Sequence, residues 1–163
     1  MDPKLREFQY KQLNFIINTN LLLKRKNIVE SEKCESCQEN ETVYHLFYEC
    51  PVVQTFWSSV SQFWSDIYLT KIDIEENKKL KLSKKDVILG NLKFCNILNY
   101  IIVLGKFFIF TSKNVKKRPL LNEFLVRLKD KYTIEENLAK KNNKIPSFRS
   151  RWSPSYRQLG RHR

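Results

Sequence analysis

Three of the chain's four cysteines and one of its two histidines fall within 17 residues, inside the stretch "EKCESCQENETVYHLFYECP" at positions 32–51. Cys34, Cys37, His45 and Cys50 follow the spacing C-x2-C-x7-H-x4-C. Zinc favours four tetrahedral nitrogen and sulfur donors, and structural sites close with sets such as Cys3His. A C-x2-C pair delivers two thiolates from one tight turn, here across Glu35 and Ser36. Thr42 is placed to cap a short helix that carries His45. Cys50 lies five residues beyond His45, about 500° around an ideal α-helix, so the two would not share a face. The chain must leave the helix before Cys50, and Pro51 supplies the break by disfavouring the α conformation there.

The chemistry expected of this set is structural. A catalytic zinc keeps one position for water and usually has three protein ligands, whereas these residues close the sphere at four. Glu49 is a nearby carboxylate that could act as a base, but no glycine-rich, pocket-forming loop accompanies it. Three thiolates leave the site net negative, so the ion itself is a poor magnet for phosphate. One structural zinc, no catalytic residue and no small-molecule substrate are the expectation.

The elements that position these ligands read as helices. Three glycines in 163 residues are too few for a turn-rich β fold or a long α/β enzyme, and 42% hydrophobic residues suffice for one packed core. Residues 4–26 read as a helix with Leu5, Phe8, Leu13, Phe15 and Ile16 inward, then a second short turn for which Thr19 is a plausible N-cap. Pro51 opens a helix in which Val52, Val53, Phe56, Trp57, Val60, Phe63, Trp64 and Ile67 recur at three- and four-residue intervals. Residues 91–113 read as a central helix, apolar but for a narrow stripe of Asn96, Asn99, Lys106 and Lys113, with Cys95 as a small buried hydrophobe. Pro119 opens another helix, striped with Leu120, Leu121, Phe124, Leu125, Leu128 and Tyr132. Thr133 with Glu136 matches a capping box for a last helix near 134–142. The expected fold is all-α: a small domain of five to six helices over residues 1–145, with a zinc module at about 30–52. Residues 146–163 are expected to be a basic, flexible tail.

Charge divides the chain. Residues 1–50 carry seven Lys/Arg against eight Asp/Glu, whereas residues 51–163 carry 23 against nine, and the last 23 residues hold seven basic residues and no acidic one. Such a basic half favours a polyanionic partner, nucleic acid first and an anionic membrane surface second, against the bland alternative of a solvated lysine-rich surface. The longest apolar run, "ILNYIIVLGKFFIF" at 97–110, is too short to span a bilayer and contains Lys106. Charges near the N-terminus oppose a signal peptide, and clustered cysteines then suit metal in a reducing compartment, cytoplasmic or nuclear. Candidate nucleic-acid contacts are Lys113, Lys116, Lys117 and Arg118 at a helix end, and Arg149 and Arg151 flanking Trp152, with the cations on phosphates and the indole available for stacking. Tyr44 and Tyr48 either pack the zinc module or stack on bases.

The stretch from "FQYKQLNFIINTNLLLKRKNI" through "CESCQENETVYHLFYECPVVQTFW" resembles the C-terminal cysteine-rich segment of non-LTR (LINE-type) retrotransposon reverse transcriptases, the zinc-binding-in-reverse-transcriptase segment. The matching features are "FQYK", "TN" before an apolar turn, Cys34 and Cys37, "ET" before "HLF", and "ECP" followed by "FW". "ILGNLKFCNILNYIIVLGKFFIF" and "AKKNNKIPSFRSRW" resemble later parts of the same family, so the likeness extends over roughly residues 7–153. The resemblance implies that Cys34, Cys37, His45 and Cys50 hold zinc. It further implies RNA, and with it DNA, as partner, with the rest of the reverse transcriptase polypeptide if the chain is a fragment. The family's polymerase and endonuclease motifs have no counterpart here, since no Asp-Asp pair occurs. The expected activity is therefore non-catalytic binding that positions RNA and target DNA for target-primed reverse transcription. A structural or protein-interaction helical domain, with zinc as a staple, is the alternative.

Overall fold

Most helices begin where the sequence supplies a side-chain acceptor or a proline. The computed structural model describes residues 2–69, 80–91, 93–94 and 96–152. Helix α1 (Pro3–Leu13) starts on Pro3, with the Asp2 carboxylate accepting from the Lys4 amide. In α2 (Asn20–Arg25) the Thr19 hydroxyl accepts from the Leu22 amide at 3.2 Å, the cap expected from sequence. Helix α3 (Pro51–Leu69) opens on Pro51. Ser83 and Asp86 form a reciprocal capping box for α4 (Lys84–Leu89), which ends on Gly90 at φ +81°. Helices α5 (Asn96–Asn114), α6 (Leu121–Lys141) and α7 (Ile145–Trp152) complete the set. Among the described residues no strand forms beyond one isolated antiparallel bridge, Lys33 to Asn40. The all-α class expected from the sequence holds. No helix among these residues is long and apolar enough to cross a membrane.

Helix α5 is the axis of the core, buried along most of its length through Ile97, Ile101, Ile102, Phe108 and Ile109. Phe56 of α3, Phe108 of α5 and Phe124 of α6 meet pairwise with ring centroids 5.4–5.7 Å apart, tying three helices at one point. At Gly105 the Trp57 side chain of α3 lies against the α5 backbone, because a Cβ there would lie 2.6 Å from Cη2 of Trp57. Trp57 cannot easily yield, since its indole N–H donates to the Phe47 carbonyl at 2.7 Å.

Several expectations are corrected. Helix α1 stops at Leu13, and the Ile16 amide turns back to the Lys11 carbonyl at 3.0 Å. That reversal puts Phe15 at φ +57° and leaves Leu13, Phe15 and Ile16 exposed, while Ile17 takes the inward position. Helix α6 does not break at Thr133. Phe124, Leu128, Tyr132, Glu136 and Ala139 are all buried on one continuous face, so no new cap is needed. Residues 146–152, expected to open a flexible tail, belong to α7 instead. Phe148 and Trp152 face inward there, and each packs on Tyr132, at 5.2 and 5.1 Å. The expectations for Cys95, for the Ile67 side chain and for the basic residues beyond Trp152 lie outside the described residues.

The polar stripe on α5 is a seam at Asn99, Lys106 and Lys113, whereas Asn96 at the helix start is exposed. Asn99 accepts from the Asn91 amide and donates to its carbonyl, which holds the chain ahead of α5 in a loop and delays the helix to Asn96. Lys106 is almost wholly buried, its ammonium donating to Gln12 Oε1 at 2.7 Å and to the Ile88 carbonyl at 3.2 Å. Burial pushes its pKa down from 10.5 to about 8. The unfolded chain then binds the proton more tightly, so the contribution of Lys106 to stability is least favourable below pH 8 and rises between about pH 8 and 10.5. Replacing the pair together (Gln12→Leu with Lys106→Met) is expected to raise stability at pH 7 by about 1–3 kcal/mol and to flatten that rise. Denaturant melts at stepped pH check this. A double variant that is less stable and keeps the wild-type rise contradicts the assignment. Lys106→Met alone is the poorer test, because it strips the Gln12 carbonyl of its partner.

Candidate metal centre

The four candidate ligands converge. One sulfur from each cysteine and one ring nitrogen of His45 lie within 4.8 Å of one another. Cys34 and Cys50 sulfurs are 4.0 Å apart, and Cys37 Sγ is 3.2 Å from His45 Nε2. With zinc bonds of about 2.3 Å to sulfur and 2.0–2.1 Å to nitrogen, a tetrahedron needs edges of about 3.8 and 3.5 Å. The observed separations bracket those edges, so the donor set fits one structural zinc.

Each ligand is placed by a local device. Cys34 and Cys37 sit on a knuckle: the Cys34 amide donates to the Glu39 carbonyl at 2.7 Å, and the Gln38 amide returns to the Cys34 carbonyl at 2.9 Å. Gln38 adopts φ +63° to close that turn. The Thr42 hydroxyl accepts from the His45 amide at 3.0 Å, as expected of a cap. The turn that carries His45 onward to Cys50 was not legible. His45–Glu49 is a π turn, closed by the Cys50 amide on the His45 carbonyl at 3.1 Å. An i→i+5 turn rotates less per residue than an α-helix, so it brings Cys50 back toward the side of His45. The separation of about 500° expected for an ideal α-helix does not arise for that reason. The break at Cys50 is real, however: its ψ of 129° is the extended conformation that Pro51 demands.

Electrostatics favour an ion here. Cys34, His45 and Cys50 are buried and Cys37 is partly so. Burial first, and then the neighbouring sulfurs of Cys34 and Cys37, push the Cys50 thiol up to about 11, against the pull of the Val52 and Val53 amides that donate to its sulfur from the start of α3. A divalent cation supplies the charge that makes three thiolates tolerable together, and its binding releases protons. Four donors fill a tetrahedral sphere, which is the structural arrangement. Glu49, the carboxylate that could have served as a base, is engaged by Lys84.

The tyrosines beside the site divide their roles. Tyr48 packs the module, its hydroxyl donating to the Leu82 carbonyl at 3.1 Å. Tyr44 is partly exposed, edge-on to Phe15 at 5.6 Å and beneath the Lys84 ammonium at 4.6 Å.

The basic candidates fall into two groups. Lys113, Lys116, Lys117 and Arg118 line a cavity of about 370 Å³ whose other wall is the metal module, including Cys34, His45 and Cys50. Arg149, Arg151 and Trp152 are at the opposite end of α5. Tyr100, which meets Trp152 at 5.9 Å, is about 20 Å along the helix from Lys113. Trp152 is fully buried and its indole N–H donates to Glu135 at 3.0 Å, so the expected stacking role gives way to a place in the core. Arg151 pairs with the same carboxylate at 3.2 Å. Lys113 is also committed, bridging Glu41 and the Asn18 carbonyl. Lys116, Lys117 and Arg118 remain exposed.

Sequence reasoning missed Glu41. It is buried and accepts from both the Asn20 amide at 2.7 Å and Lys113, so it pins the module to α2 and α5. The local signal was only that an acid precedes the Thr42 cap.

No solved structure matches the chain. The family model for zinc-binding in reverse transcriptase matches residues 1–57, a span that contains all four ligands and ends at Trp57. The matched family is defined by a zinc-binding segment and not by a catalytic motif. Together with the convergent Cys3His cluster, the match makes residues 1–57 of this chain similar to the zinc-binding segment of reverse transcriptases.

Proposed function

We propose that this chain is the zinc-stabilised nucleic-acid-binding module of a LINE-type reverse transcriptase. It has no catalytic residue of its own, and it positions template RNA or target DNA for target-primed reverse transcription. The observation that carries this reading is the juxtaposition of Lys116, Lys117 and Arg118 with the metal module around one cavity, in a chain of net charge +13. The zinc holds one wall of that cavity and the cations supply attraction to phosphate. Lys113 is excluded from the contact set because Glu41 already neutralises it.

Binding of single-stranded RNA to the zinc-loaded chain, measured against salt, tests the proposal. Affinity is expected to fall steeply from low to moderate salt. In a Lys116/Lys117/Arg118→Ala variant the slope of log affinity against log salt is expected to flatten by about 2, at about 0.7 for each phosphate no longer neutralised. Negligible binding at low salt overturns the proposal. One observation favours the alternative, a protein-interaction domain: Leu13, Phe15 and Ile16 form an exposed apolar group beside Tyr44. Under that alternative the same titration is flat.

A further inference from the structure

We infer that the cavity beside the metal module takes one unpaired nucleotide, whose phosphate displaces the Glu35 carboxylate from Lys116. Resting on the nucleic-acid reading above, this adds the form of the strand and its mode of entry. The cavity has two unlike parts. Its lining combines the exposed cations Lys116, Lys117 and Arg118 with the aliphatic Val52, Val53 and Ile109, of which the last two are buried. Aliphatic side chains offer nothing to a bare phosphate, yet apolar side chains can pack on the face of an unstacked base attached to one. In a duplex the base faces are stacked away and only the backbone could reach the cations. A volume of about 370 Å³ admits a single nucleotide and not a helix.

Glu35 marks the place of the phosphate. It belongs to the C-x2-C knuckle, and its carboxylate is 3.3 Å from the Lys116 ammonium on the facing turn. An internal anion thus already joins the two walls. Both side chains are largely exposed, 65% and 78%, so the pair holds weakly and is readily exchanged for another anion. The facing turn is itself preset: Lys116 adopts φ +54°, and the Lys117 amide returns to the Ser112 carbonyl at 2.9 Å. Asn114, exposed at the end of α5, is one of the lining residues.

Fluorescence anisotropy with the zinc-loaded full chain tests this, using a short oligouridylate and a blunt RNA duplex of equal strand length. The single strand is expected to bind about tenfold tighter than the duplex. Glu35→Gln, which removes the competing carboxylate, is expected to tighten single-strand binding about 2- to 5-fold. Asn114→Trp, which fills the cavity from its exposed side, is expected to abolish the single-strand preference while leaving zinc content and helicity unchanged. Equal affinity for the two probes, or indifference to Asn114→Trp, overturns the nucleotide cavity but leaves phosphate binding by the cations intact. An unchanged or weakened Glu35→Gln overturns the displacement. Failure of both probes to bind at low salt overturns the nucleic-acid reading itself.

Discussion

Stripping zinc from the purified chain is expected to unfold its N-terminal third and to lower the stability of the whole domain by several kcal/mol. Metal analysis should find about one zinc per chain, and a strong chelator should remove it together with much of the helical signal. The reason is that the module is not an appendage. Cys34, Val43, Leu46, Phe47 and Cys50 belong to the same buried cluster as the central helix, with Phe47 fully covered. Apparent zinc affinities in small structural sites correspond to about 10–16 kcal/mol at neutral pH, which rivals the roughly 5–15 kcal/mol of total stability typical of a domain. Without the ion, four donors remain within 4.8 Å of one another and the buried sulfurs take up protons. Cys50→Ser is expected to match chelation, because it removes a ligand from a site 4% exposed whose sulfur also receives the first amides of α3. Circular dichroism and thermal melts with and without chelator decide the matter. A metal-free chain with unchanged helicity and melting temperature would refute the structural role.

Legibility followed sequence distance. The ligands lie within one short stretch, and the devices that aim them (the knuckle, the Thr42 cap, the Cys50–Pro51 break) are nearly as local, so composition and spacing were enough. The π turn was not legible, because it depends on partners outside the stretch: the Trp57 indole takes the Phe47 carbonyl, and the Tyr48 hydroxyl reaches Leu82. Lys106 belongs to the narrow polar stripe of α5, and its burial is not legible locally because its partner Gln12 is 94 positions away. Trp152 looked exposed because its neighbours are arginine, serine and proline, whereas Tyr100, Tyr132 and Glu135 cover it from two other helices. Helix periodicity located the buried face on α3 and over Phe124, Leu128 and Tyr132 of α6, although Leu120 of that stripe is the exposed N-cap and the buried face runs on past Thr133. It failed at α7, which is only eight residues long.

The electrostatic seam between module and core yields the second large effect. Glu41 is 3% exposed and Lys113 22%, and the two are joined at 2.5 Å. Truncating the lysine leaves a buried carboxylate facing, among the described residues, only the Asn20 amide, whereas neutralising the acid leaves an ammonium that can turn toward water and still hold the Asn18 carbonyl. The penalties should therefore be unequal: about 3–4 kcal/mol for Lys113→Ala, in the range for an orphaned buried charge, and about 1–2 kcal/mol for Glu41→Gln, which keeps an acceptor for the Asn20 amide. Combining Glu41→Gln with Lys113→Met should recover most of the loss, since neither partner of this pair then leaves an uncompensated charge. Because Glu41 stands between the Asn40 bridge and the Thr42 cap, Lys113→Ala should also weaken zinc retention in a competition with a chelator. It should leave the salt slope of RNA binding unchanged, which separates its role from that of Lys116, Lys117 and Arg118. Equal single penalties, or a double variant whose loss is the sum of the two, would show that the pair is not coupled and that the module is anchored elsewhere.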